Sequence, residues 1–192
     1  GGQTAGRVAS FNPLLESQAL AELIQASQAK VLVTLAPFPE VDIWQKLSPV
    51  LHQLTHLEHV VLVRLSDHVR GVKKPLARLL EGREAIKIHG LRGIQAALPK
   101  GVKLHDFNSS IAKHSSQSLQ FADLPKPTDV SSCFCTGGTT GLPKVALRTH
   151  RNEVFNAWSA AQFLGEGIGA GKTVLCGLPL FHVNGVLVTG LL

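Results

Sequence analysis

The apolar positions of the chain change period as it runs. After the turn pair Asn12-Pro13, Leu15, Ala19, Leu20, Leu23 and Ile24 recur at helical spacing through Ser27, with Glu16 in the first turn. Ala29-Lys30-Val31-Leu32-Val33-Thr34 is short, β-branched and apolar, which predicts a buried strand that Pro37 and Pro39 end. Ile43, Trp44, Leu47, Leu51 and Leu54 predict a second amphipathic helix, kinked or interrupted at Pro49. His59-Val60-Val61-Leu62-Val63 predicts a second buried strand. Strand, helix and strand in alternation imply a parallel sheet with crossover helices. The pattern then weakens: Ser66 to Lys103 predicts one helix, near Pro75 to Glu81, among irregular connections. Leu124-Pro125-Lys126-Pro127-Thr128-Asp129 reads as a Pro-rich linker, and the main boundary is placed there, dividing 1–123 from 124–192. Beyond it the pattern predicts a strand over Val130 to Cys135 and a Gly/Thr loop. A helix from about His150 to Leu164 follows, with Thr149 as its N-cap. A loop with four glycines spans Gly165 to Gly171, and a fourth strand is expected over Thr173 to Leu178. No internal repeat is visible.

Composition narrows the class. A chain of 192 residues with 44% hydrophobic and 17% charged residues is a domain or a little more, and it is not intrinsically disordered. No apolar run reaches the roughly 18 residues of a membrane span. The start, Gly1-Gly2-Gln3-Thr4, lacks the basic-then-apolar layout of a secretory signal. Three scattered cysteines argue against a disulfide framework and for a reducing, cytoplasmic setting. There is no Met, not even an initiator, and the last residues read as the middle of an apolar element. The chain is therefore expected to be an excerpt of a longer polypeptide. Net charge is +6, and the excess is local: residues 64–113 hold eleven Lys and Arg against four acids. No aromatic side chain interleaves with these charges before Phe107, which disfavours a base-stacking platform and hence nucleic acid. A variable solvated surface is the expected reading, with peripheral contact to a membrane surface as the other.

The chemistry concentrates in Thr136-Gly137-Gly138-Thr139-Thr140-Gly141-Leu142-Pro143-Lys144, directly after a predicted strand. Glycines let backbone N–H groups close on an anion, hydroxyls add neutral donors, and a lysine adds a mobile positive charge. That set suits a polyphosphate, although a plain Gly-rich turn accounts for the composition equally well. Other patterns carry less. Gly169-Ala170-Gly171-Lys172-Thr173 looks like a Walker phosphate loop, but Glu166 stands where its first glycine belongs and the loop precedes a strand instead of a helix. His52 and His56 lack the glutamate of a zinc-protease helix and a third ligand. Cys133 and Cys135 share one face of a predicted strand and, with Cys176, read as buried thiols, so no metal site is expected. No Ser or Cys nucleophile motif accompanies His182, which leaves a hydrolase triad unsupported.

The segment 136–144 resembles the phosphate-binding motif of the acyl-adenylate-forming superfamily, which includes acyl-CoA synthetases, adenylation domains and luciferases. Thr136, Gly138, Thr139, Thr140, Gly141, Pro143 and Lys144 match its Thr-Ser-Gly-Thr-Thr-Gly-x-Pro-Lys-Gly pattern, while Gly137 and Val145 depart from it. Leu178-Pro179-Leu180-Phe181-His182-Val183-Asn184-Gly185 is similar to the downstream Pro-Leu-Phe-His-x-x-Gly motif. Thr149-His150-Arg151-Asn152, Phe11-Asn12-Pro13-Leu14 and Ala29 to Thr34 are weaker matches, and the fatty-acyl-CoA synthetase branch is the most similar. The resemblance implies an α/β fold of partly parallel sheets flanked by helices, an incomplete portion of the family's large N-terminal domain. It implies an AMP-forming ligase using ATP, Mg²⁺ and coenzyme A on a carboxylic, most closely a fatty, acid. An aryl-acid or carrier-protein-loading enzyme, or a non-catalytic relative, are the other readings. Thr136, Gly137, Gly138, Thr139, Thr140, Gly141, Pro143 and Lys144 would then hold phosphates, with Lys144, Thr139 and Thr140 positioning them. Phe181, His182, Asn184 and Gly185 would border the acid. The family's adenine- and ribose-binding segments and its catalytic lysine would lie downstream, so the chain alone is expected not to turn over.

Overall fold

The computed structural model describes residues 2–114, 124–135, 144–167, 169, 171–173, 175 and 177–187. Its contacts divide the chain into two units, one of Pro13–Leu119 and one of Gly1–Asn12 with Gln120–Leu192. The second begins with a short helix α1 (Gly2–Ala5) and strand β1 (Val8–Ser10).

The Pro13–Leu119 unit is built on a sheet of order β2-β3-β4: β2 (Val31–Leu35), β3 (His59–Val63) and β4 (Lys103–Asp106), all parallel. Helix α2 (Ser17–Ala26) precedes it and buries Leu20, Leu23 and Ile24 of the predicted stripe together with Ala21, while Leu15 and Ala19 are half-buried. The crossover from β2 to β3 is α3 (Ile43–Leu47) followed by a 3₁₀ segment (Ser48–Gln53). Pro49 sits in the first turn of that segment, where a missing N–H costs nothing, so the helix tightens there and does not break. His52 lies in the 3₁₀ segment and His56 in the turn after it, both exposed, so the two share no α-helical face.

The crossover from β3 to β4 corrects the sequence reading. Where one short helix was expected, the chain forms α4 (Lys73–Lys87) and α5 (Gly90–Ala97), joined by a left-handed pair at His89 and Gly90, and then β4. A further helix, α6 (Phe107–Ala112), follows β4, with the Asp106 carboxylate accepting from the Ser109 N–H at 2.9 Å as its cap. Both crossovers step in the same direction across the sheet. Right-handed connection therefore puts α3 and the α4–α5 pair on one face. Burial agrees: Val60 and Leu62 are buried, while Val31 and Val33, which point the other way, are exposed. The core on the covered face gathers Trp44, Leu47, Leu51, Leu54, Leu57 and Ile94.

In the other unit β5 (Val130–Cys135), the predicted third strand, is central. It pairs parallel with β1 and antiparallel with β6 (Val145–Thr149), a strand the sequence reading did not anticipate. Helix α7 (His150–Leu164) spans the predicted residues, and Thr149 caps it. The Thr149 hydroxyl accepts from the Asn152 N–H at 3.2 Å, and the Asn152 side chain accepts from the Thr149 N–H at 3.1 Å. The segment read as a linker is a capping turn. The Asp129 carbonyl accepts from the His150 N–H at 3.1 Å, and the Pro127 carbonyl from the Arg151 N–H at 2.8 Å. These bonds satisfy donors that the first turn of a helix leaves without partners. Of the fourth strand expected over Thr173 to Leu178, residues 174 and 176 lie outside the described residues, and the described ones belong to no strand. Leu175 and Leu178 are exposed.

Candidate functional site

The Gly/Thr segment is sequence that joins two paired strands. Cys135, the last residue of β5, is the register partner of Val145, the first of β6. Thr136, Gly137, Gly138, Thr139, Thr140, Gly141 and Pro143 lie outside the described residues. Lys144 is described and exposed, immediately before β6.

The strand that leads into the segment is tied down on both sides. Ser131, Ser132, Cys133 and Phe134 are all buried. The Ser131 hydroxyl donates to the Arg148 carbonyl on β6 at 3.0 Å. The Ser132 hydroxyl donates to the carboxylate of Glu153, which is 3% exposed in the first turns of α7. The second carboxylate oxygen of Glu153 accepts from Gln3 Nε2 of α1 at 2.8 Å. A buried acid is thus met by two donors from separate elements, as burial of a charge requires. Glu153 also sits near the positive end of the α7 dipole. This network fixes β5 against α7, and sequence reasoning missed it. Its one sequence signal is an acid just inside a capped helix start, a position that equally suits an exposed residue.

Arg148 is the opposite case. Its guanidinium carbon stands 5.5 Å from the Phe134 ring centroid, a cation–π contact, but both terminal nitrogens are buried with no hydrogen-bond acceptor among the described residues. Burial raises the Cys133 thiol above its ordinary value. It does the same to Cys135, with Cys133 adding in the same direction. Both remain protonated at neutral pH, in keeping with packed rather than reactive thiols, while Cys176 lies outside the described residues.

The second predicted group forms one local structure. Phe181 and His182 lie in a turn rather than at a strand end, because helix α8 (Val183–Val186) begins immediately after them. The Pro179 carbonyl accepts from the His182 N–H at 3.0 Å. His182 is exposed, and its Nδ1 accepts from the Asn184 N–H at 3.3 Å, which leaves Nε2 as the other ring nitrogen. Phe181 is half-buried and Asn184 is exposed. Gly185 is buried, and a Cβ there would lie 2.2 Å from the Pro179 oxygen. The motif glycine is thus what lets α8 close on the Pro179 turn. The Walker-like decoy ends in a turn, with the Lys172 N–H donating to the Gly169 carbonyl at 3.1 Å; among the described residues no helix opens on it.

Comparison with solved structures defines the class. The chain matches a red-emitting luciferase from Phrixothrix hirtus with a TM-score of 0.59 at 15% identity, over 94% of this chain and 28% of that one. It matches the adenylation domain of a carboxylate reductase from Mycobacterium chelonae with a TM-score of 0.55 at 14% identity, over 94% of this chain and 25% of that one. At such identity the likeness shows the fold alone, an α/β portion of the architecture these two proteins share. The sequence then gives the family. A model described as AMP-binding enzyme matches residues 4–192, and the chain belongs to that family. Among curated relatives, a marinolic acid–CoA ligase from Pseudoalteromonas sp. (strain SANK 73390) is 27% identical over 100% of this chain and 24% of its own length. A long-chain-fatty-acid–CoA ligase from Bacillus subtilis is 26% identical over 94% of this chain and 30% of its own length. The chain spans about a quarter to a third of the curated relatives it matches.

Proposed function

We propose that the polypeptide carrying this chain is an AMP-forming acid–CoA ligase, with a fatty acid as its substrate. A carboxylate oxygen attacks the α-phosphorus of ATP, forming acyl-AMP and releasing pyrophosphate. The thiol sulfur of coenzyme A then attacks the acyl carbon and releases AMP. Transfer of this kind depends mainly on positioning and on balancing phosphate charge. Thr136, Gly137, Gly138, Thr139, Thr140, Gly141 and Pro143 would cradle the β- and γ-phosphates, and Lys144 would offset their charge as pyrophosphate leaves. Phe181, His182, Asn184 and Gly185 would border the acid, with the His182 Nε2 turned to its carboxylate. Mg²⁺ would add charge neutralisation at the phosphate oxygens. Among the described residues no group of three or more His, Cys, Asp or Glu is gathered to hold a metal ion.

The observation that carries this reading is the Thr136–Lys144 motif standing between the two paired strands β5 and β6 inside a family match that runs from residue 4 to 192. The fatty-acid assignment draws support from the long-chain-fatty-acid–CoA ligases among the relatives. The test is acid-dependent ATP–pyrophosphate exchange by the full polypeptide over short, medium, long and aromatic acids. Exchange is expected with long acids, and Lys144→Ala should lower it at least about a hundredfold, the scale of losing one charge-stabilising group. Exchange restricted to aromatic acids, or thioester formation on a carrier protein in place of coenzyme A, would overturn the assignment to this branch. No exchange with any acid would overturn the ligase reading itself.

A further inference from the structure

Helix α4 is amphipathic in the wrong sense for a helix that packs on its own domain. Its inward face holds Ala77 and Glu84, and the Glu81 carboxylate is taken by the Ser66 N–H at 2.9 Å and by the Ser66 hydroxyl. Glu84 is 8% exposed and bound to Lys87 at 2.8 Å. Both acids of the helix are thus spent on the protein side. The outward face carries Val72, Leu76, Leu79 and Ile86, exposed at 89%, 57%, 61% and 78%. Their spacing of four, three and seven makes a continuous stripe along the helix. Arg83 falls within the stripe, and Lys73, Arg78 and Lys87 flank it. Neither Lys73 nor Arg83 has an ion-pair partner among the described residues. Arg78 and Lys87 are paired with Asp67 and Glu84, but Lys73 and Arg83 stay unneutralised beside a full helical stripe of exposed aliphatic residues, whereas single exposed leucines are ordinary.

We propose that α4 is a docking face for an anionic phospholipid surface, a property separate from the ligase reading. An apolar stripe with basic borders and no outward acid suits a helix lying in the plane of a membrane interface: the aliphatic side chains enter the acyl boundary and the Lys and Arg heads reach phosphates. No helix among the described residues is long and apolar enough to cross a membrane. The charge picks out the occupant. Nothing on this face would repel an anionic surface, and it lacks the aromatic rings that stack nucleic-acid bases.

The test is co-sedimentation of the full polypeptide with vesicles of equal parts phosphatidylcholine and phosphatidylserine, against pure phosphatidylcholine, at low and high salt. Binding is expected to the mixed vesicles and not to the neutral ones, and to weaken with salt. Arg83→Glu should weaken it roughly thirtyfold, two charges' worth at the membrane surface. The double variant Leu79→Ser with Ile86→Ser should weaken it at least about tenfold through lost apolar insertion. It should leave the thermal midpoint unchanged, because both side chains are exposed. Equal binding to both vesicle types, or none, would overturn the proposal. So would a wild-type dimer that the double variant dissociates, which would assign the stripe to a second copy. A double variant that unfolds at markedly lower temperature would also overturn it, by placing the stripe inside the full polypeptide.

Discussion

Arg148 holds a charge where the described residues offer no acceptor. Breaking a good buried ion pair is expensive, but a buried guanidinium without one has only its desolvation penalty and a ring contact with Phe134. Arg148→Leu is therefore expected to leave stability unchanged or raise it by about 1–3 kcal/mol in urea unfolding. A loss of that size would mean that the guanidinium has an acceptor after all. Glu153 is the contrasting residue, an acid buried more fully than Arg148 but met by Ser132 and Gln3. Neither side chain was legible beforehand. Each owes its state to a partner far away in sequence, whereas Thr136 to Lys144 and Phe181 to Gly185 stand out because their chemistry is local and contiguous.

Among the elements, α7 was legible end to end because its signals are covalently adjacent: a threonine cap, an asparagine three residues on, and a terminal glycine. Its start is secured twice, by the Thr149–Asn152 exchange and by the carbonyls of Pro127 and Asp129. Thr149→Ala should cost about 1 kcal/mol in equilibrium unfolding, the usual worth of such a cap. No measurable loss would show that the Pro127–Asp129 turn holds the helix start unaided. Strands β2, β3 and β5 were equally plain, since short β-branched or apolar runs leave little choice. The elements that escaped share a cause. Strand β4 reads Lys-Leu-His-Asp, too polar to announce a strand, and β6 carries Arg148 in a short edge position. Helix α4 turns its aliphatic residues outward and its acids inward, so a rule that seeks an apolar inner face finds only fragments of it.

At the scale of the molecule, acid is the condition most revealing of its electrostatics. The Ser109 backbone N–H holds the Asp106 carboxyl below the usual carboxylate range, partly opposed by burial, with the Ser109 hydroxyl and Arg64 adding to the lowering. Glu58 is lowered chiefly by its hydrogen bond and charge contact with Lys30. A carboxyl lowered on folding contributes fully above its unfolded value of about 4 and loses that contribution as the pH drops through its folded value. Stability should therefore rise with pH across the acid range. Asp106→Asn should flatten the slope below about pH 4, read as the thermal midpoint against pH. An unchanged slope would remove Asp106 from the account. The division of the chain has a consequence in time. Strand β1 pairs with β5, yet the whole Pro13–Leu119 unit is spelled out between them. During synthesis β1 emerges before the Pro13–Leu119 unit and β5 after it, so their pairing waits until that unit has been made. By then the intervening unit can already be folded, which shortens the span whose ends must meet and lowers the entropy lost in closing it.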